Sequence, residues 1–135
     1  MIFLDTSYLL ALVDPRDELH ERALAWADVL NDRLLTTEQV LLECVNAFSA
    51  PIERPRANTI VGYLRTSRSV EFTSSSAELL DAGLQLHQNR PDKSWSLTDC
   101  ISFIVMQQRG VNRALSSDPH VEQAGFEALL RRSPP

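Results

Sequence analysis

The sequence predicts an α/β protein with three layers, α/β/α, around a central, mostly parallel sheet of about five strands. Three observations carry that expectation. Short apolar runs alternate with longer segments of helical periodicity, the pattern that gives right-handed crossovers and a parallel sheet covered on both faces. The chain has 135 residues, enough for one core and one domain spanning residues 1–135. Its composition, 44% hydrophobic and 23% charged, is that of a globular protein and excludes disorder, a collagen-like fibre and a disulfide-stapled miniprotein.

The elements follow in order. Ile2-Phe3-Leu4 is a short apolar strand that stops at Asp5, and Thr6 and Ser7 cap a buried helix over Tyr8–Val13. Asp14-Pro15 reads as the start of a second helix, with Leu19, Ala23, Trp26, Ala27 and Leu30 on its apolar face. A strand over Arg33–Thr37 precedes a helix from about Glu38 to Phe48 that buries Val40, Leu41, Cys44, Val45 and Phe48. Pro51 and Pro55 bracket a loop, and a weaker helix covers Asn58–Leu64. Val70–Thr73 is a third strand, and Ser75 with Glu78 forms a capping box for a helix carrying Leu79, Leu80, Leu84 and Leu86. After a polar loop, Ser96 opens a helix over Leu97–Arg109 that Gly110 closes. Ala114–Ser117 is a fourth strand ending at Asp118, and a helical turn leads to a fifth strand over Phe126–Leu130.

The apolar runs are too short for a membrane span, which needs about 20 residues. The opening Met1–Asp5 carries an acid where a signal peptide needs a basic start, so a cytoplasmic protein without membrane attachment is expected. Net charge is −5, which argues against a simple basic clamp for nucleic acid but not against an enzyme whose metal ions supply positive charge locally. Cys44 and Cys100 have no metal-type spacing and read as buried free thiols.

In open α/β sheets ligands bind beyond the carboxyl ends of the strands. Asp5 and Asp118 each follow a predicted strand, Asp99 lies in the first turn of a helix, and Glu43 in the second turn of another. Four carboxylates from four elements can thus meet in one crevice. Like charges about 4 Å apart repel by about 1 kcal/mol even in water, so such a cluster either holds protons or binds a hard cation. An all-oxygen donor set points to Mg²⁺ or Mn²⁺ rather than zinc, and such ions suit phosphodiester hydrolysis. Each acid also has a local reading: Asp99 as the return half of a capping box with Ser96, Asp5 as a helix-dipole partner, Glu43 as a solvated glutamate, Asp118 as a turn residue before Pro119.

Four segments carry a resemblance: Met1-Ile2-Phe3-Leu4-Asp5-Thr6-Ser7; Leu41-Leu42-Glu43-Cys44; Trp95-Ser96-Leu97-Thr98-Asp99-Cys100-Ile101-Ser102-Phe103; and Ser117-Asp118-Pro119-His120 with Gln123-Ala124-Gly125-Phe126. In order and spacing the chain resembles the PIN-domain ribonucleases, in particular the small single-domain toxins of VapC type, over nearly its whole length. The resemblance implies an acidic tetrad of Asp5, Glu43, Asp99 and Asp118, serving both as catalytic residues and as metal ligands. Thr6 or Ser7, and Thr98, would hold a carboxylate or water in place. It also implies a Mg²⁺- or Mn²⁺-dependent endoribonuclease that cuts structured RNA to leave a 5′-phosphate and a 3′-hydroxyl, a cognate antitoxin, and a homodimer. One departure is Pro119-His120-Val121, where relatives carry a bulkier aromatic after the histidine.

Secondary features are compatible with this. Arg54 and Arg56 belong to a basic stretch that could meet RNA or an acidic antitoxin, and Lys93 stands six residues before Asp99. His20, His87 and His120 show no ligand spacing, though His120 is two residues beyond Asp118. Trp95 reads either as a base-stacking residue or as a packing residue before a capped helix. A haloacid-dehalogenase-type phosphatase also starts with Asp after a first strand, but wants a second Asp where Ser7 stands. The remaining alternative is a catalytically silent PIN-like module that binds RNA or a partner.

Overall fold

The computed structural model describes residues 1–135. Five strands form one sheet in the order β3-β2-β1-β4-β5, with every neighbouring pair parallel. They are β1 (Ile2–Leu4), β2 (Leu34–Thr37), β3 (Val70–Thr73), β4 (Arg113–Leu115) and β5 (Glu127–Ala128). Seven helices connect them: α1 (Thr6–Val13), α2 (His20–Val29), α3 (Glu38–Ala47), α4 (Arg54–Thr66), α5 (Ala77–Asn89), α6 (Leu97–Arg109) and α7 (Pro119–Gln123). α1 packs on α2, α3 and α4, while α6 packs on α5 and α7, giving the expected three-layer α/β/α arrangement. No helix is long and apolar enough to cross a membrane.

The inner strands lie between layers of helices, so they are apolar on both sides rather than alternating. Ile2, Phe3 and Leu4 are all buried, and so are Leu34, Leu35, Thr36 and Thr37. The two threonines are tolerated there because each hydroxyl is used. Thr36 Oγ1 donates to the Leu4 carbonyl at 2.9 Å, and Thr37 Oγ1 accepts from the Val40 N–H at 3.2 Å, capping α3. The chain leaves β1 toward β2 on one side and later returns to pair β1 with β4 on the other. This switch in direction opens a crevice beyond the C-terminal ends of β1 and β4.

Val45, expected in the core, is exposed on the outer face of α3, and five expectations about element boundaries and caps change. Asp14-Pro15 does not start α2: Asp14 ends α1, donating its N–H to the Leu10 carbonyl, and its carboxylate binds Arg16. A turn follows, in which Asp17 accepts from the Leu19 N–H, and α2 begins only at His20. Pro51 and Pro55 do not bracket a loop. Pro51 opens a single 3₁₀ turn and Pro55 sits in the first turn of α4, where its missing N–H costs nothing. The cap of α5 is Ser76 rather than Ser75, because the Ser75 hydroxyl is held by Gln39 and its N–H by Glu38. β4 ends at Leu115, since Ser116 and Ser117 turn toward the crevice. The fifth strand is two residues long and passes into a 3₁₀ turn at Leu129–Arg131.

Candidate active site

The crevice encloses ≈ 410 Å³, and Asp5, Glu43, Asp99 and Asp118 all line it with Thr6, Ser7, Ser94, Ser96 and His120. Each acid arrives by a different local mechanism. Asp5 is the residue between β1 and α1, and its N–H donates to the Leu115 carbonyl of β4. Glu43 is carried inward by α3, whose stripe of Val40, Leu41 and Cys44 is buried on the core. Asp99 is the third residue of α6. Ser96 Oγ accepts from the Asp99 N–H and Asp99 Oδ2 accepts from the Ser96 N–H, both at 3.0 Å, a complete capping box. Asp118 caps α7 by accepting from the His120 N–H at 2.9 Å. The local readings of Asp99 and Asp118 are therefore real. The fold uses the capping geometry to point the same carboxylates into the crevice.

A relay of hydroxyls fixes the Asp5 carboxylate. Ser116 Oγ donates to Asp5 Oδ2 at 2.6 Å and in turn accepts from the Asp118 N–H at 3.0 Å. Ser7 Oγ lies 3.3 Å from the same Asp5 oxygen and accepts from the Ser117 N–H at 3.1 Å. On the other wall Thr6 Oγ1 donates to Glu43 Oε1 at 2.6 Å. Thr6 and Ser7 thus each contact a carboxylate of the crevice. Thr98 is not among the residues lining the crevice.

Burial pushes the Asp5 carboxyl up to about 6. Hydrogen bonds from Ser116 and the Thr6 backbone oppose that rise, and the charges of Asp99 and Asp118 add to it. Burial likewise pushes the neighbouring Cys44 thiol up to about 12, with Asp5 and Glu43 adding to the effect. Cys44 is therefore an inert packing group and not a nucleophile.

The tightest group in the crevice is one the sequence did not assemble. Oxygens of Asp99 and Asp118 and a ring nitrogen of His120 lie within 4.8 Å of one another. His120 Nδ1 is 3.1 Å from Asp99 Oδ2 and 3.4 Å from Asp118 Oδ1. Ser116, read as a strand residue, is the other missed member. Its signal was a serine two positions before a cap acid; that of His120 was its place two positions after the same acid. Ligand atoms of one hard cation are at most about 4–5 Å apart, given bonds of roughly 2.0–2.6 Å. The Asp99, Asp118 and His120 spacing fits that limit, and the oxygen-rich set fits Mg²⁺ or Mn²⁺.

The three basic candidates fare differently. Lys93 is next to Ser94 on the crevice rim. Arg56 lies at the opposite end of α1 from Asp5, about 12 Å away along eight helical residues. It is engaged there by Glu53 at 2.9 Å and Asp14 at 3.7 Å. Arg54 begins the same helix α4 and is likewise outside the crevice.

Comparison with known proteins agrees with this fold. The family model described as PIN domain matches residues 2–127. The 23S rRNA-specific endonuclease VapC20 of Mycobacterium tuberculosis (strain CDC 1551 / Oshkosh) is 28% identical over 127 residues, covering 93% of this chain and 95% of that one. The crystal structure of M. tuberculosis VapC20, described as a Sarcin-Ricin loop cleaving toxin, superposes with a TM-score of 0.87 at 25% identity, covering 93% and 96% of the two chains. FitAcB from Neisseria gonorrhoeae shares the fold, with a TM-score of 0.69 at 18% identity and 95% coverage of both chains. With the PIN-domain model matching all but its first and last few residues, and acids meeting at the switch point of its sheet, the chain belongs to the PIN-domain family.

Proposed function

We propose that this protein is a Mg²⁺- or Mn²⁺-dependent endoribonuclease that hydrolyses phosphodiester bonds in structured RNA, as the toxin of a toxin–antitoxin pair. One observation carries the reading: four carboxylates from four separate elements line a single crevice, together with a histidine. A silent binding module has no use for such a costly concentration of like charge.

In this reading Asp5, Glu43 and Asp99 are the principal ligands, and Asp118 supports them directly or through water. A bound cation supplies a more acidic water and neutralises charge developing on the phosphoryl oxygens. The chain's own groups do the rest. Thr6 and Ser116 keep Glu43 and Asp5 pointed into the crevice, and His120 bridges Asp99 and Asp118 so that neither carboxylate swings outward. Ser94 and Ser96 form the rim over which the RNA strand passes. The product ends are a 5′-phosphate and a 3′-hydroxyl.

The proposal includes a cytoplasmic homodimer and an antitoxin that occupies the acidic crevice. Exposed Leu24 and Val29 on α2, and Leu42 and Val45 on α3, support a subunit contact on those helices. Similarity to VapC20 makes large-subunit ribosomal RNA the first substrate to test. Purified protein is incubated with total cellular RNA in Mn²⁺ or EDTA, beside Asp99→Asn, and ends are mapped by sequencing. A few discrete cuts, lost in EDTA and in the variant, are expected; cuts that persist in either lane refute the assignment.

A further inference from the structure

Asp99 and Asp118 stand on separate elements, so their spacing depends on how those elements are joined. Asp99 is in the first turn of α6, which has thirteen residues and is capped at both ends. Asp118 caps α7 and His120 lies within it, and α7 has only five residues. A helix of one turn has little stability of its own, since isolated helices shorter than roughly 12–15 residues are marginal in water. The position of α7 is therefore set by what it touches. Two side-chain hydrogen bonds tie it to the segment that opens α6. In front, His120 Nδ1 lies 3.1 Å from Asp99 Oδ2. Behind, the Trp95 indole N–H donates to Gln123 Oε1 at 3.1 Å.

The two bonds are not equivalent. The front contact uses the carboxylate and imidazole atoms that would hold a cation, so an ion competes with it. The rear contact joins two neutral groups that do not line the crevice, and neither an ion nor a change of charge disturbs it. Its donor is rigid: Trp95 is 5% exposed, packs edge-on against Phe103 at 5.1 Å and lies under the Arg90 guanidinium at 5.0 Å. An indole N–H can only donate, so it holds the oxygen end of the amide. Trp95 is followed at once by Ser96, whose capping box aims Asp99, and Gln123 comes one turn after His120. We propose that Gln123 is a positioning residue: by holding α7 to Trp95 from behind, it sets the spacing of Asp99 from Asp118 and His120, and with it the affinity of the crevice for a divalent cation. The inference rests on the nuclease reading for its purpose and on the two hydrogen bonds for its geometry.

The test compares the intact protein with Gln123→Met, which keeps the length of the side chain and removes the acceptor, and with Gln123→Glu, which keeps an acceptor. Hydrogen exchange in EDTA reads the clamp itself. Amides of residues 121–125 should exchange about tenfold faster in Q123M, while those of β1 and β2 stay unchanged. Calorimetric titration with Mn²⁺ reads the site. Q123M should bind about 10–100-fold more weakly, the range for residues that support a metal ligand, and Q123E should lie within about threefold of the wild type. Cleavage lost in Q123M should return as Mn²⁺ is raised, which a generally weakened fold would not show. Unchanged exchange in Q123M, wild-type Mn²⁺ affinity in Q123M, or failure of Q123E to restore that affinity each overturns the proposal. A wild type that binds no Mn²⁺, with α7 still loosened in Q123M, would sink the nuclease reading and leave the clamp standing.

Discussion

At the scale of single residues, the crevice separates groups that would hold a cation from groups that hold the ligands. Asp99→Asn keeps the capping box, since the asparagine Oδ1 still accepts from the Ser96 N–H. It should therefore fold normally, melt at an equal or higher temperature in EDTA because repulsion with Asp5 and Asp118 is relieved, and lose cleavage. The loss should exceed the roughly 10–100-fold that removing a merely supporting residue costs. Ser116→Ala tests that contrast. It removes the 2.6 Å bond to Asp5, so turnover should fall within the 10–100-fold range, with a stability cost of about 1 kcal/mol. Turnover is read from initial rates and stability from urea melts.

Asp5 also predicts a pH dependence. Its folded value of about 6 lies above the unfolded reference of 3.8, so between the two the folded protein keeps a proton that the unfolded chain has shed. The metal-free protein is therefore stabilised by this group on the acid side, fully below about pH 4, and loses that stabilisation as pH rises through about 6. Urea melts of the protein and Asp5→Asn in EDTA across this range should converge at low pH and diverge above it, with the variant more stable at pH 7. Parallel curves would remove Asp5 as the titrating group.

At the scale of elements, the seam between α5 and α6 is the closest approach. A Cβ added at Gly83 would stand 2.5 Å from Ile101 Cγ1, a branch atom of a buried side chain that cannot swing aside. Gly83→Ala should cost about 1–3 kcal/mol despite alanine's better helix propensity, and a second change, Ile101→Ala, should restore part of it. Stability above wild type in G83A would mean that the seam opens freely.

The same scale shows what the sequence could and could not reveal. β1, β2 and β3 were legible because each is a short apolar run with a hard stop, and α6 because Ser96 and Gly110 cap it at both ends. The start of α2 was not legible. Asp14-Pro15 carries the chemistry of a helix start, and it was overruled by Arg16, which pairs with both Asp14 and Glu53 and holds the segment as a turn. Ser75 and Ser76 are equivalent as caps locally; only Gln39 and Glu38, nearly forty positions earlier, decide between them. The four acids were readable from their places after strands and at helix starts. His120 and Ser116 were missed although they stand two positions either side of Asp118, because their other partners, Asp99 of α6 and Asp5 just after β1, are brought to them only by the fold.

For the molecule as a whole, a cation that binds only the folded state raises stability by about 2.7 kcal/mol at a hundred times its dissociation constant. Mn²⁺ should thus raise the melting temperature by several degrees, and Asp99→Asn should lose most of that gain. A flat response in the wild type would end the metal-site assignment.

The strand order carries one more consequence. Asp5 is steadied by Ser116, 111 residues further along, and β1 has no neighbour on that side until Ala114 and Leu115 pair with Phe3 and Leu4. On a translating ribosome the nascent chain therefore carries Asp5 before β4 emerges, and the acidic crevice cannot assemble until Ser116 and β4 are free to dock. Ribosome-stalled chains ending before β4 should be protease-sensitive around α1 and harmless to RNA, and both properties should reverse together once residues 113–130 are free to dock. The proposed nuclease activity is thus withheld from every unfinished copy by topology alone.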